Sequence, residues 1–342
     1  NGSVGDGNSD VEIQSGGTIY PGQKNRTNLT ISGNLITDSG STQNFTGESG
    51  NGSGKNSEGT ISVDKNLSLD GTIVANNLSS SYGSGVERLY DYGGTLEKDT
   101  ASLVLNGTPV TASDYIQDSN HQVNIVLQNG PDTLSFWDGA NTSVNSQVDG
   151  GTGTWQQTGG ASNWTNATGN SNAGWTANDF AIFEQQGSKV SVDGNVDVSG
   201  MQFDENGGKD SSGNSYYSLV PNGNTSSITL NGTNYSNNTS SFDVVSSENN
   251  DPQVSGKLTN QSGLASVIRV GNGTGSGDSD LAVIQTNIND SSEKPTTLVK
   301  TDSGTLVLSG ENSYNGGTVV TDGVLEITTD KSLGTGGTAV EI

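Results

Sequence analysis

The sequence predicts an all-β chain wound as a single-stranded parallel β-helix, a solenoid with a thin, long core and projecting loops. Three observations predict it. Only 28% of the 342 residues are hydrophobic and 50 are Gly; helical periodicity is almost absent; and short alternating runs of β-branched and aliphatic residues recur between Gly, Asn and Asp. A chain this poor in apolar residues cannot fill several compact cores. Yet only 15% of it is charged, the remaining polarity being Asn, Ser, Thr and Gly, which is not the habit of a disordered tail.

The runs come in order as Val11-Glu12-Ile13, Thr18-Ile19-Tyr20, Leu29-Thr30-Ile31, Gly33-Asn34-Leu35-Ile36, Ile61-Ser62-Val63, Leu67-Ser68-Leu69 and Gly71-Thr72-Ile73-Val74. Most place two apolar side chains on one face of a strand. The cadence returns at Leu103 to Thr108, Val123 to Leu127, Val190 to Val198, Ile228 to Thr233, Leu258 to Asn260 and Leu281 to Ile284. A sandwich or barrel of antiparallel hairpins could use such strands too. Composition favours the solenoid, whose interior is only a few side chains wide, while Asn, Ser and Thr stack in ladders outside. At roughly 20 to 25 residues per coil and about 4.8 Å per rung, the chain makes around a dozen coils and a rod of roughly 60 to 70 Å.

Charge and cysteine narrow the partners. Thirty-seven acidic against 13 basic side chains give a net charge of −24, which repels phosphate backbones and anionic headgroups, so nucleic acid is not an expected partner. No run of 18 apolar residues is present and Asn1 to Asp10 lack the regions of a signal peptide, so the chain reads as a mature piece. The absence of Cys excludes a disulfide framework and thiolate metal sites.

The most specific stretch lies near the C-terminal end. Leu298-Val299-Lys300, Gly304-Thr305-Leu306-Val307-Leu308-Ser309-Gly310-Glu311-Asn312-Ser313-Tyr314-Asn315-Gly316-Gly317-Thr318-Val319-Val320 and Asp322-Gly323-Val324-Leu325 resemble the passenger-associated repeat of Gram-negative type V autotransporters, over 297–327. The chain departs from that pattern mainly at Asp302, where Gly is usual. Read physically, Thr305 to Leu308 and Thr318 to Val320 alternate in and out as strands. Gly316-Gly317 permits positive φ at a corner, and Asp322-Gly323 makes the next turn; one repeat equals about one coil. A second resemblance spans 136–183, where Trp137, Trp155, Trp164 and Trp175 sit in the order seen where a tryptophan-bearing segment interrupts the coils of many passengers.

These resemblances imply a right-handed β-helix over 1–342, a single passenger fragment of a bacterial cell-surface adhesin, attached to the outer membrane or released. They imply no catalysis. They imply partners among host matrix or surface proteins and glycans, or self-association between rods that aggregates cells and promotes biofilm. Contact with the membrane would run only through a C-terminal barrel that this chain does not contain. The alternative from another class is the stalk or catalytic part of an enzyme or toxin passenger acting on polysaccharides or esters.

Candidate site residues follow from chemistry. The four tryptophans are read either as an exposed aromatic platform for a ligand or as the filling of a widened coil, since a thin core gains most from its largest side chains. The stretch 82–98, with Glu87-Arg88-Leu89-Tyr90-Asp91-Tyr92, breaks the rhythm and reads as a projecting loop, making Arg88, Tyr90 and Tyr92 ligand candidates; 204–217 is a second candidate loop. Asp278 and Asp280 are the best local carboxylate pair. Calcium is possible there, though Asp6 to Asp10 fails as an EF-hand loop and the glycine-rich 273–278 occurs in a single copy. Arg at positions 26, 88 and 269 alone is too sparse for uronate chemistry, no G-x-S-x-G elbow is present, and the single His121 makes no metal set.

Overall fold

In a computed structural model the described residues are 2–4, 9–21, 28–45, 59–76, 84–98, 101–110, 116–119, 121–128, 133–205, 216–235, 263–271, 280–290, 294–335 and 340–341. They form an all-β protein whose one helical turn is a 3-10 turn at Asp330–Leu333. In each of two blocks the chain returns repeatedly to three sheets, and most of their strands pair parallel with those of the preceding circuit.

In an N-terminal block, Gly2–Val4, Leu29–Ile31, Ile61–Val63 and Gly85–Tyr92 make one ladder. Val11–Ile13, Leu35–Thr37, Leu67–Leu69 and Leu96–Lys98 make the second. Thr18–Ile19, Thr42–Asn44, Thr72–Ala75 and Ser102–Leu105 make the third. Register is fixed by the period of two, because a slip of one residue would turn every Leu outward. It is also fixed by an amide ladder at the head of the second sheet. Asn34 reaches Asp10 across 24 residues, the Asn66 N–H donates to Asn34 Oδ1 across 32, and the Thr95 N–H donates to Asn66 Oδ1 across 29.

A C-terminal block repeats the plan. Its first sheet stacks Leu134–Trp137, Phe180–Gln185, Gly200–Glu205, Gly263–Val270, Thr296–Thr301, Thr318–Val320 and Val340–Glu341. Its second runs from Gly153–Trp155 through Lys189–Val192, Tyr217–Pro221, Leu281–Ile284 and Thr305–Leu308 to Val324–Ile327. Its third holds Asn195–Val198, Ser227–Leu230 and Asn287–Asp290. Circuits vary from the expected length because corners carry insertions: Ser313 bonds Asn289 across 24 residues, whereas Gln285 bonds Ser218 across 67. At the corner after Tyr314, Gly317 takes φ +87° and Gly323 φ +73°, so the two turns anticipated from the repeat are the ones where glycine is needed.

Open strand edges are covered by antiparallel strands. Thr108–Val110 folds back on Ser102–Leu105, Gln122–Leu127 on Gly85–Tyr92, and Trp164–Thr165 on Leu134–Trp137. This removes templates for unwanted pairing.

The interior departs from the single column expected. The described residues hold a large apolar cluster in each block, from Ile19 to Leu127 and from Trp137 to Tyr314, and the C-terminal block adds a small one of Ala265, Val267 and Val299. Another, with Val86, Val126, Phe136, Phe180 and Ile182, lies between the two large ones. The strand Gln122–Leu127 is buried on both faces: Val123, Ile125 and Leu127 enter the N-terminal core, and Val126 joins the intermediate cluster. Phe180–Gln185 mirrors it, with Ala181 and Phe183 in the C-terminal core and Phe180 and Ile182 facing the intermediate cluster. Two sheets therefore pack face to face along a seam.

The stretch expected to project, 82–98, is corrected by the same geometry. Gly85–Tyr92 and Leu96–Lys98 are rungs of two ladders, and the irregular rhythm of 85–92 arises because this strand carries a bulge and serves two neighbours at once.

Candidate binding surface

Two surfaces collect the polar chemistry of the chain: the exposed flank of the third C-terminal sheet, and the buried seam.

On the flank, alternation sends Val196, Val198, Ile228, Leu230 and Ile288 wholly inward and leaves amides and hydroxyls outside. Asn195 Oδ1 accepts from Ser227 Oγ at 2.7 Å and Thr229 Oγ1 at 2.8 Å. One circuit on, Ser313 Oγ donates to Asn289 Oδ1 at 2.9 Å and the Glu311 N–H to Asn287 Oδ1 at 2.9 Å. Thr335 Oγ1 then donates to Asn315 Oδ1 at 2.8 Å. Rung after rung, the same groups recur at the strand spacing of about 4.8 Å. A carboxamide has two donor hydrogens and an oxygen with two lone pairs, so even Asn195, whose oxygen accepts twice and whose Nδ2 donates to Asp197, keeps one donor hydrogen for a partner. The result is a row of preorganised hydrogen-bonding groups.

In the seam, the Gln202 side chain bonds both Val86 main-chain groups, accepting from the N–H at 2.7 Å and donating to the carbonyl at 2.9 Å. Arg269, fully buried, donates to Glu87 at 2.6 Å and Asp302 at 2.8 Å. Burial opposes its charge, but the two carboxylates outweigh that and raise its pKa. Arg88 lies 3.6 Å from Asp204. Gln117 donates to Glu184 at 2.5 Å and to the Ala167 carbonyl at 3.1 Å, and accepts from Asn124 at 3.0 Å. Burial, then the Asp204 charge, push the Glu184 carboxyl up to about 8.

The four tryptophans do not form an exposed platform. Trp137, Trp155, Trp164 and Trp175 are buried together, with neighbouring ring centroids 4.5 to 5.2 Å apart, because an indole left in water would forfeit the largest apolar area the chain has to bury. Two of them are anchored, Trp137 Nε1 to the Gly151 carbonyl and Trp175 Nε1 to the Asp197 carbonyl. Tyr90 is likewise buried, edge-on to Phe45, which corrects its reading as a ligand contact. Tyr92 is half-buried, its hydroxyl donating to Asp118 and its ring beside His121. Arg88 belongs to the seam. Asp278 and 206–215 of the second candidate loop lie outside the described residues. Asp280 supplies its carbonyl to the Thr305 N–H, and among the described residues no group of three or more His, Asp or Glu is placed to hold a metal.

Sequence reasoning expected ladders of Asn, Ser and Thr outside the core without naming a rung, and it missed the seam. The ladders had a signal: Asp10, Asn34 and Asn66 each stand immediately before an apolar run. The seam had only the continuous run Phe180-Ala181-Ile182-Phe183, the mark of a strand covered on both faces.

The parallel strands and the glycine corners near the C-terminal end are the features that comparison with known proteins bears on. Residues 298–327 match the family model of the passenger-associated transport repeat. The chain is similar to the adhesin BmaC autotransporter of Brucella suis biovar 1 (strain 1330), with 33% identity over 324 residues, 93% of this chain. It spans about 8% of the length of that relative. No solved structure matches the chain.

Proposed function

We propose that this segment is the adhesive, non-catalytic rod of a bacterial surface protein, displayed at the outer membrane or released. The circuits would wind as a right-handed single-stranded β-helix, the hand that parallel crossovers take in almost all cases. Its chemistry is repetition: each exposed amide or hydroxyl contributes little, and a partner spanning several rungs adds them with an effective concentration set by the rod itself. The observation that carries this reading is the ladder of Asn195, Ser227, Thr229, Asn289 and Ser313 on one flank. The relative's designation as an adhesin supports it. The partners proposed are a host surface protein or glycan, or a second rod.

The test is retention of the purified chain on immobilised matrix proteins and glycans, together with clumping of cells that display it. Replacing Asn195, Asn289 and Ser313 together by Ala should reduce both signals while leaving the circular dichroism spectrum unchanged. A variant that binds and clumps as before would remove the flank from the account.

A further inference from the structure

The seam stacks acid on acid where the two blocks meet. Glu184 and Asp204 are register partners on adjacent parallel strands, so their side chains rise on the same face about 5 Å apart, and both are buried. Each is held by the opposite block: Glu184 by Gln117 from Ile116–Ser119, and Asp204 by Arg88 from Gly85–Tyr92. Gln117 is itself positioned by Asn124 from Gln122–Leu127.

We propose that this pair is a proton-dependent latch: the seam between the N-terminal and C-terminal blocks stays closed while Glu184 carries a proton, and loosens when both carboxyls are ionised.

The argument is one of charge counting at a buried surface. The groups against Glu184 are Gln117, neutral and itself held by Asn124, Asp204 alongside, and the Tyr217 hydroxyl, which donates to the Glu184 main-chain carbonyl at 2.7 Å. Arg88 is shared between Asp204 and Asp91, at 3.6 and 3.4 Å. Arg269 is committed to Glu87 and Asp302. Glu205, next along the strand, accepts from the Tyr217 N–H at 3.0 Å. Glu184 itself meets the Gln117 amide and a neighbouring carboxylate, and a buried charge that gains no opposite partner costs several kcal/mol. Opening the seam returns Glu184 to water. Its carboxyl sits near 8 in the closed form, against 4.5 in water, so the closed form binds the proton more tightly and rising pH favours the open one. Between pH 6 and 9.5 the open-to-closed ratio should rise about a hundredfold.

The chain has no Cys, so spin labels can be placed at will. Labels on Thr108→Cys and Thr225→Cys, both exposed and one in each block, report the distance across the seam by pulsed electron spin resonance. The expected result is a distribution that is narrow at pH 6, broadens as pH rises to about 8 and changes little from there to pH 9.5, and a distribution in Glu184→Gln that stays narrow at pH 6 and pH 9.5 alike. An unchanged distribution in the parent chain, or equal broadening in the Gln variant, would overturn the latch. Tryptophan emission checks that the variant has folded. Should it not fold, the parent profile decides, since broadening confined to below about pH 4.5 or above about pH 9 is incompatible with this pair.

Discussion

Asp302 Oδ2 lies 2.8 Å from Arg269 Nε, and the same guanidinium reaches Glu87 in the other block at 2.6 Å. Asp302 stands where the transport repeat usually has Gly, and it adopts φ +63°, a conformation that costs a non-glycine residue about 1–2 kcal/mol. The departure from the repeat and the ion pair are one feature: the position keeps the left-handed backbone that Gly would supply and adds a carboxylate that fixes the seam. Arg269→Met should therefore strip both buried carboxylates of the guanidinium they share and cost about 3–5 kcal/mol, read as a fall in urea midpoint. Asp302→Gly, which relieves the backbone and leaves Arg269 its Glu87 partner, should cost less. Equal losses would refute the coupling.

Stability should depend on pH through Glu184. Its folded pKa, about 8, is raised above 4.5 by burial and by Asp204, so the stabilisation is fully present below about 4.5 and is lost as pH climbs towards 8. The slope cannot exceed about 1.4 kcal/mol per pH unit for one proton. Urea titrations at pH 5, 7 and 9 should show falling midpoints in the parent chain and a shallower fall in Glu184→Gln.

Because all four indoles are buried, intrinsic fluorescence should be blue-shifted and resist quenching by iodide in the folded chain. Trp164→Ala removes a ring in contact with Trp137, Trp155, Trp175 and Phe183. It should cost about 3–5 kcal/mol. Red-shifted, readily quenched emission would put the tryptophans back at the surface.

Gly139 has φ +63° and a Cβ there would lie 1.8 Å from the Gly150 carbonyl oxygen. Gly139→Ala should consequently disrupt the tryptophan segment, seen as a shift of that emission, whereas Gly107→Ala has φ +78° but open space around it and should cost only about 1–2 kcal/mol of backbone strain.

Single amide rungs should be worth little. Asn34→Ala loses the bond to Asp10 and the one accepted from the Asn66 N–H, and is expected to lower stability by about 1–2 kcal/mol. A loss above 4 kcal/mol would mean that the ladder, rather than apolar stacking, carries the circuits.

Local pattern made the strands legible, because a period of two declares which face is apolar: Leu35, Leu67 and Leu69 are all buried as their alternation requires. Corners were legible where glycine must take positive φ. Pattern does not declare whether the other face is also covered. Glu184, Gln202 and Arg269 occupy outward positions that read as ordinary surface, and their partners lie far away in the chain, Glu87 being 182 residues from Arg269. The tryptophans were ambiguous for a related reason, since an indole suits both an interface and a core.

The parallel stacking of successive circuits is tested most directly by a disulfide between Thr72→Cys and Ser102→Cys. These positions are register partners 30 residues apart whose hydroxyls lie 2.9 Å from each other, within the reach of a disulfide. Oxidation should close this bond rapidly and nearly completely in the folded chain, while the pair Thr72→Cys and Val104→Cys, two residues out of register, should stay reduced. Closure of the second pair and not the first would contradict the ladder.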